Sequence, residues 1–114
     1  MSCTDEQLAA HIVEHCRRIL NITKDTTYEA FCGNVTNQDA VIRNIEVIGE
    51  AAGNLSEEFA AAHPEIPILI LRGMRNFLAH QYFRADIDVI WQTCREDIPG
   101  LYEQFLRVTG KKLP

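Results

Sequence analysis

Apolar residues recur along this chain at the three- and four-residue spacings of an amphipathic helix, and no stretch alternates with the period of two that marks a half-buried strand. Leu8, Ile12, Cys16 and Ile19 form the first stripe. Thr4 with Gln7 three residues on makes a capping box, so this helix is predicted to start near Asp5 and to run to about Asn21. Residues 21–36 connect, with a short helix at Tyr28 to Cys32 ahead of Gly33. A second long helix is expected from about Asn37 to Leu55, burying Val41, Ile45, Ile48, Ala52 and Leu55. Ser56 caps a short helix over Glu57 to Ala62, and prolines 64 and 67 hold an extended loop after it. The last long helix opens at Asp86 or Asp88 and carries Ile87, Ile90, Trp91, Cys94, Ile98, Leu101, Phe105 and Val108 on one side. Pro99 removes a hydrogen bond near Arg95, which predicts a kink rather than a break. Gly110 stops the helix.

Between the loop and that last helix lies PILILRGMRNFLAHQY, Pro67 to Tyr82. Pro67 suits a first helical turn, where its missing N–H costs nothing. At about 100° per residue, Ile70, Leu71, Met74, Phe77 and Leu78 gather within roughly 120° as a core-facing stripe. Arg72, Arg75, Asn76, Ala79 and His80 take the other side. The whole pattern reads as one domain, residues 1–114. Its fold class is all-α: an up-and-down antiparallel bundle of four main helices with short connecting helices.

Charge sharpens the picture of the fourth helix. The chain carries −5 overall, which argues against a general nucleic-acid coat. Residues 67–85 hold Arg72, Arg75 and Arg84 and no acid, a local +3 against the chain's −5, which leaves −8 for the rest. A small cationic site on an acidic body suits brief engagement of a phosphate backbone. Arg72 and Arg84 also read simply as solvated surface. The four cysteines (Cys3, Cys16, Cys32, Cys94) are scattered without a C-x-x-C and predict free thiols. The absence of a leader-like N-terminus or a long apolar run predicts a cytoplasmic protein with no membrane contact. His11-Ile-Val-Glu14-His15 matches an inverted zinc-protease pattern, but no third ligand is in evidence, and a satisfied, partly buried histidine is the commoner explanation. Asp39, Arg43, Glu46 and Glu50 line the outer side of the second helix, either as exposed ion pairs or with Glu46 or Glu50 orienting Arg75.

Arg75 to Tyr82 has the form R-x-x-x-x-H-x-Y. With GMRNFLAHQY around it, IGEAA upstream and Trp91 downstream, the chain resembles the HEPN superfamily over nearly its whole length. The resemblance is to the HepT-like toxins of HEPN/minimal-nucleotidyltransferase (type VII) toxin–antitoxin pairs. It implies a metal-independent endoribonuclease that works as a homodimer on RNA rather than DNA, without a cofactor. Arg75 and His80 would be its catalytic residues. Asn76 and Arg72 would support them or bind RNA, and a cognate nucleotidyltransferase would transfer AMP to Tyr82. Where relatives often carry a tryptophan after the second proline, this chain has Ile68. The chemistry fits the residue types. RNA brings its own nucleophile, the 2′-hydroxyl, so histidine can move the proton and arginine can stabilise the charged phosphorane. Two other readings stay open. One is a non-catalytic helical module that serves a nucleotidyltransferase; the other makes Arg75 and His80 mere interface residues.

Overall fold

The computed structural model describes residues 3–73 and 87–110, and these are helical with short connections. Helix α1 spans Asp5–Thr23, two residues past its predicted end. Its capping box is made as expected: the Thr4 hydroxyl accepts from the Gln7 backbone N–H at 3.1 Å, and the Gln7 side chain accepts from the Thr4 N–H at 2.9 Å. Helix α2 is Tyr28–Cys32, and α3 is Val35–Gly53. The latter starts two residues earlier than the apolar pattern predicts, because the Asn34 side chain accepts from the Asn37 N–H and so provides the cap. Helix α4 is Glu57–Ala62, capped by Ser56. The Ser56 N–H and hydroxyl both donate to Asp5, which ties the start of α4 to the start of α1.

Residues 68–73 form the helical opening of the motif segment, here α5. Its first bond runs from the Leu71 N–H to the Pro67 carbonyl at 3.0 Å, so Pro67 opens the helix as its ring predicts. In the second described stretch, α6 (Ile87–Gln92) passes through a π turn (Thr93–Asp97) into α7 (Ile98–Thr109). Pro99 has no N–H to offer the Arg95 carbonyl, and the widened turn lies just where that bond is missing. The helix is deformed there and continues, as predicted. Asp88 sits inside the first turn of α6 rather than capping it, and Asp86 lies outside the described residues. Gly110 closes α7 with φ +69°, a left-handed cap that glycine adopts without a Cβ penalty.

Helix α1 is the hub, packed against α3 on one side and α7 on the other. The expected stripes of α1 and α3 are all buried, and Phe31, Ile98 and Phe105 join them without solvent exposure. Trp91 covers Phe31 at 5.2 Å between ring centroids, and Phe59 stacks on Phe105 at 6.2 Å. The fold is thus an all-α helical bundle with short helices in the connections. The thiols are free, and burial pushes Cys16 and Cys94 up to about 12. Among the described residues no helix is long and apolar enough to cross a membrane.

One expectation fails in α5. The spacing puts Ile70 in the core stripe with Leu71, yet it is 68% exposed, and its neighbour Leu69 is 78% exposed. Ile68 faces inward with Leu71, and on the projection it lies between Leu71 and Arg72. The projection grouped the apolar residues of the entire segment, whereas burial of the first turn follows from the side that meets α3 and α4.

Candidate functional site

Of the residues that the sequence singles out for chemistry, Arg72 falls within the described structure. Arg75, Asn76, His80 and Tyr82 lie outside the described residues, as do Met74, Phe77, Leu78 and Arg84.

Arg72 is half-buried and does not extend into solvent. Its Nε donates to the Ala52 carbonyl at 3.3 Å and its Nη2 to the Leu55 carbonyl at 3.1 Å. Its Nη1 lies 3.7 Å from Glu57 Oε1. The two carbonyls belong to the end of α3 and the turn after it, where the helix dipole is negative, and the Ala52 oxygen also accepts from the Leu55 N–H at 3.3 Å. A planar guanidinium can reach both oxygens at once. Arg72 thus joins α3, α4 and α5 at the point where the motif segment begins.

The acidic ladder of α3 divides. Glu46 pairs loosely with Arg43 at 3.7 Å and is half-buried, while Asp39 and Glu50 are exposed. Beside α5, a groove is lined by Pro67, Ile70, Ile98 and Leu101 and rimmed by Glu65, Glu96 and Asp97. Three carboxylates on its rim repel a phosphate backbone, so this groove is not suited to RNA.

In the histidine pair of α1 the inner ring is engaged inside the bundle. His15 is buried, and its Nδ1 meets the Asn44 Oδ1 at 2.7 Å. The Asn44 amide nitrogen is committed to the Ala40 carbonyl at 2.7 Å, so the oxygen must accept and His15 Nδ1 must carry the hydrogen. Burial pushes the His15 pKa below its usual value, and the bond to Asn44 opposes part of that shift. The exposed His11 packs edge-on against it, with centroids 4.5 Å apart. No group of three metal-ligating side chains forms among the described residues. His63 is half-buried, with its ring centroid 4.5 Å from that of Phe59.

Asn44 is the polar residue that the sequence reading passed over. A signal was present, since position 44 lies in phase with Val41 and Ile48 on the buried side of α3. An inward-phased amide calls for an inward partner.

Residues 12–108 match the family model described as ribonuclease HepT-like. The chain belongs to that family. Endoribonuclease is the enzyme class that comes with membership. A "Probable ribonuclease HepT" of Thermococcus cleftensis is 42% identical over 94 residues, which cover 82% of this chain and 86% of that one. A protein of Methanocaldococcus jannaschii, named provisionally as an RNase, is 39% identical over 97 residues, 85% of this chain and 84% of its own. One from Caldanaerobacter subterraneus, named in the same way, is 33% identical over 102 residues, 90% of this chain and 91% of its own. No solved structure matches.

Proposed function

We propose that this HepT-like chain is the toxin of a toxin–antitoxin pair. It would act in the cytoplasm as a single domain, a homodimeric endoribonuclease that needs no metal. The observation that carries the reading is the string Arg75-Asn-Phe-Leu-Ala-His80-Gln-Tyr82 inside a family-wide match over residues 12–108. In the reaction, the RNA 2′-oxygen attacks the adjacent phosphorus and the bond to the 5′-oxygen breaks. The products are a 2′,3′-cyclic phosphate and a 5′-hydroxyl. His80 takes the proton from the 2′-hydroxyl, and His80 of the second copy returns one to the leaving oxygen. Arg75 stabilises the charge that grows on the phosphorane, and Asn76 orients the imidazole or holds a phosphate oxygen. On a regular helix Arg75 and His80 fall about 7.5 Å apart along the axis, at opposite edges of the polar stripe. Two copies meeting face to face close a site that one helix leaves open. On the same projection the exposed Leu69 falls between Arg75 and His80 on the polar side, which supports such a meeting.

Control comes from Tyr82. A partner nucleotidyltransferase directs the tyrosine oxygen at the α-phosphorus of ATP, so that AMP is joined to it and pyrophosphate leaves. The added phosphodiester carries one negative charge into a segment whose excess is only +3. It competes with RNA phosphate for the arginines.

Both parts can be measured. Arg75→Ala and His80→Ala are expected to lower cleavage by about 10²-fold or more with the helical signal unchanged, and wild-type cleavage should survive EDTA. Full activity in either variant removes that residue from catalysis, and loss of activity on chelation ends the metal-free scheme. Tyr82→Phe should stay active yet gain no AMP mass in the presence of the nucleotidyltransferase and ATP. AMP on Tyr28 or Tyr102 instead would remove Tyr82 from control. A wild-type protein that binds its nucleotidyltransferase and cuts no RNA would favour the non-catalytic module.

A further inference from the structure

We infer that Arg72 is a positioning residue for the ribonuclease site, a latch that fixes where the motif helix starts, and not a contact to RNA. This rests on the ribonuclease reading above and changes the role of one of its residues. Each of the three guanidinium nitrogens faces a protein oxygen: Ala52 and Leu55 carbonyls through Nε and Nη2, and the Glu57 carboxylate through Nη1. The first two acceptors are backbone atoms, so they are present whatever side chains surround them. The side chain is 26% exposed, while Glu57 is 89% exposed, which makes the carbonyls the principal partners and the carboxylate a screened, outer one.

The position of this latch gives it leverage. Arg72 follows Ile68 and Leu71 on the inward side of α5 and precedes Arg75 by three residues, close to one helical turn. Pro67 and the buried Ile68 and Leu71 set the tilt of the first turn by packing. Packing alone leaves a short helix free to slide or roll along an apolar surface, since apolar contacts have little direction. Two hydrogen bonds from one planar group to carbonyls on fixed elements remove that freedom. The rotation of α5, residues 68–73, about its own axis is thereby set at the point where the chain leads into the motif. A lysine keeps the charge but has no fork to span Ala52 and Leu55 together.

The test separates a latch from a phosphate contact. Binding and cleavage of a fluorescent single-stranded oligoribonucleotide of mixed sequence are measured for wild type, Arg72→Gln and Arg72→Lys over a salt series. The latch predicts that kcat falls at least tenfold in both variants while KM shifts less than twofold. The slope of log affinity against log salt then stays at the wild-type value. A slope shallower by about 0.7 in Arg72→Gln marks a lost phosphate contact and overturns the inference, as does an unchanged kcat. A second readout does not depend on cleavage: hydrogen exchange should quicken in peptides covering residues 50–56 and 68–73 of both variants, with α1 peptides unchanged. If wild type cuts no RNA, the ribonuclease reading fails and the latch is judged on exchange alone. Unaltered exchange then overturns it too, and exchange that quickens across the entire chain reduces Arg72 to a general stabiliser.

Discussion

The α1–α3 interface and the α3–α5 junction each take a polar side chain into the bundle and satisfy it in opposite ways. At the first, His15 and Asn44 form a neutral side-chain pair, and both are buried. At the second, Arg72 keeps its charge, stays partly exposed and turns to backbone carbonyls at the negative end of a helix. A neutral pair can be enclosed completely because each partner answers the other's hydrogen bond. A permanent cation needs either a buried counter-charge, which is costly to desolvate, or a place near water beside a helix terminus. The enclosed pair sets the register of two long helices. The half-open arginine sets the start of the segment that bears the motif, and that segment's outer side leaves Leu69 and Ile70 in solvent. Arg95 repeats the second arrangement at the end of α1, where its Nη1 donates to the Thr23 carbonyl at 3.4 Å and the guanidinium lies 5.4 Å from the Trp91 ring.

This contrast can be broken in measurable steps. Phe105→Ala sets the scale for a site with no polar component: Phe105 is fully buried, so the variant should lose about 3–5 kcal/mol in chemical denaturation. A smaller loss would mean that the bundle collapses around the gap. Asn44→Ala should cost about 1–3 kcal/mol, because it strands the buried His15 N–H. His15 also predicts a direction with pH. Its folded pKa is lowered by burial, so the unfolded chain takes up the proton first as pH falls. Its contribution is complete above about 6.5, the unfolded value, and is lost as pH drops from there through the lowered folded value. Urea midpoints that stay level from neutral pH down to about pH 5 would show that His15 titrates normally.

Ile70→Ser should have the smallest effect on the monomer, within about 0.5 kcal/mol, since the side chain is already mostly in water. Leu69→Ser, exposed on the side that carries Arg75 and His80 on the projection, should instead weaken self-association in light scattering. A stability loss of more than about 2 kcal/mol would return Ile70 to the core stripe where periodicity first put it.

The sequence by itself determined the helices that carry their own signals. Thr4 with Gln7, Ser56 before Glu57, and Gly110 act through bonds or dihedrals spanning only a few residues, and each marks its terminus as read. The stripes of α1 and α3 were legible because a long helix repeats its apolar spacing enough times to fix one side. Family and enzyme class were legible for a different reason, since the R-x-x-x-x-H-x-Y string sits in a match that spans most of the chain. Tertiary structure alone decided where short-range rules run out. The first turn of α5 has too few residues for periodicity to choose its inner side, so contact with α3 and α4 turned Arg72 inward and Ile70 outward. The partner of Asn44 lies 29 residues away on another helix, and the acceptors of Arg72 lie 20 and 17 residues away. No local pattern encodes such pairings, because they exist only once packing has brought separate helices within the roughly 3 Å reach of a hydrogen bond.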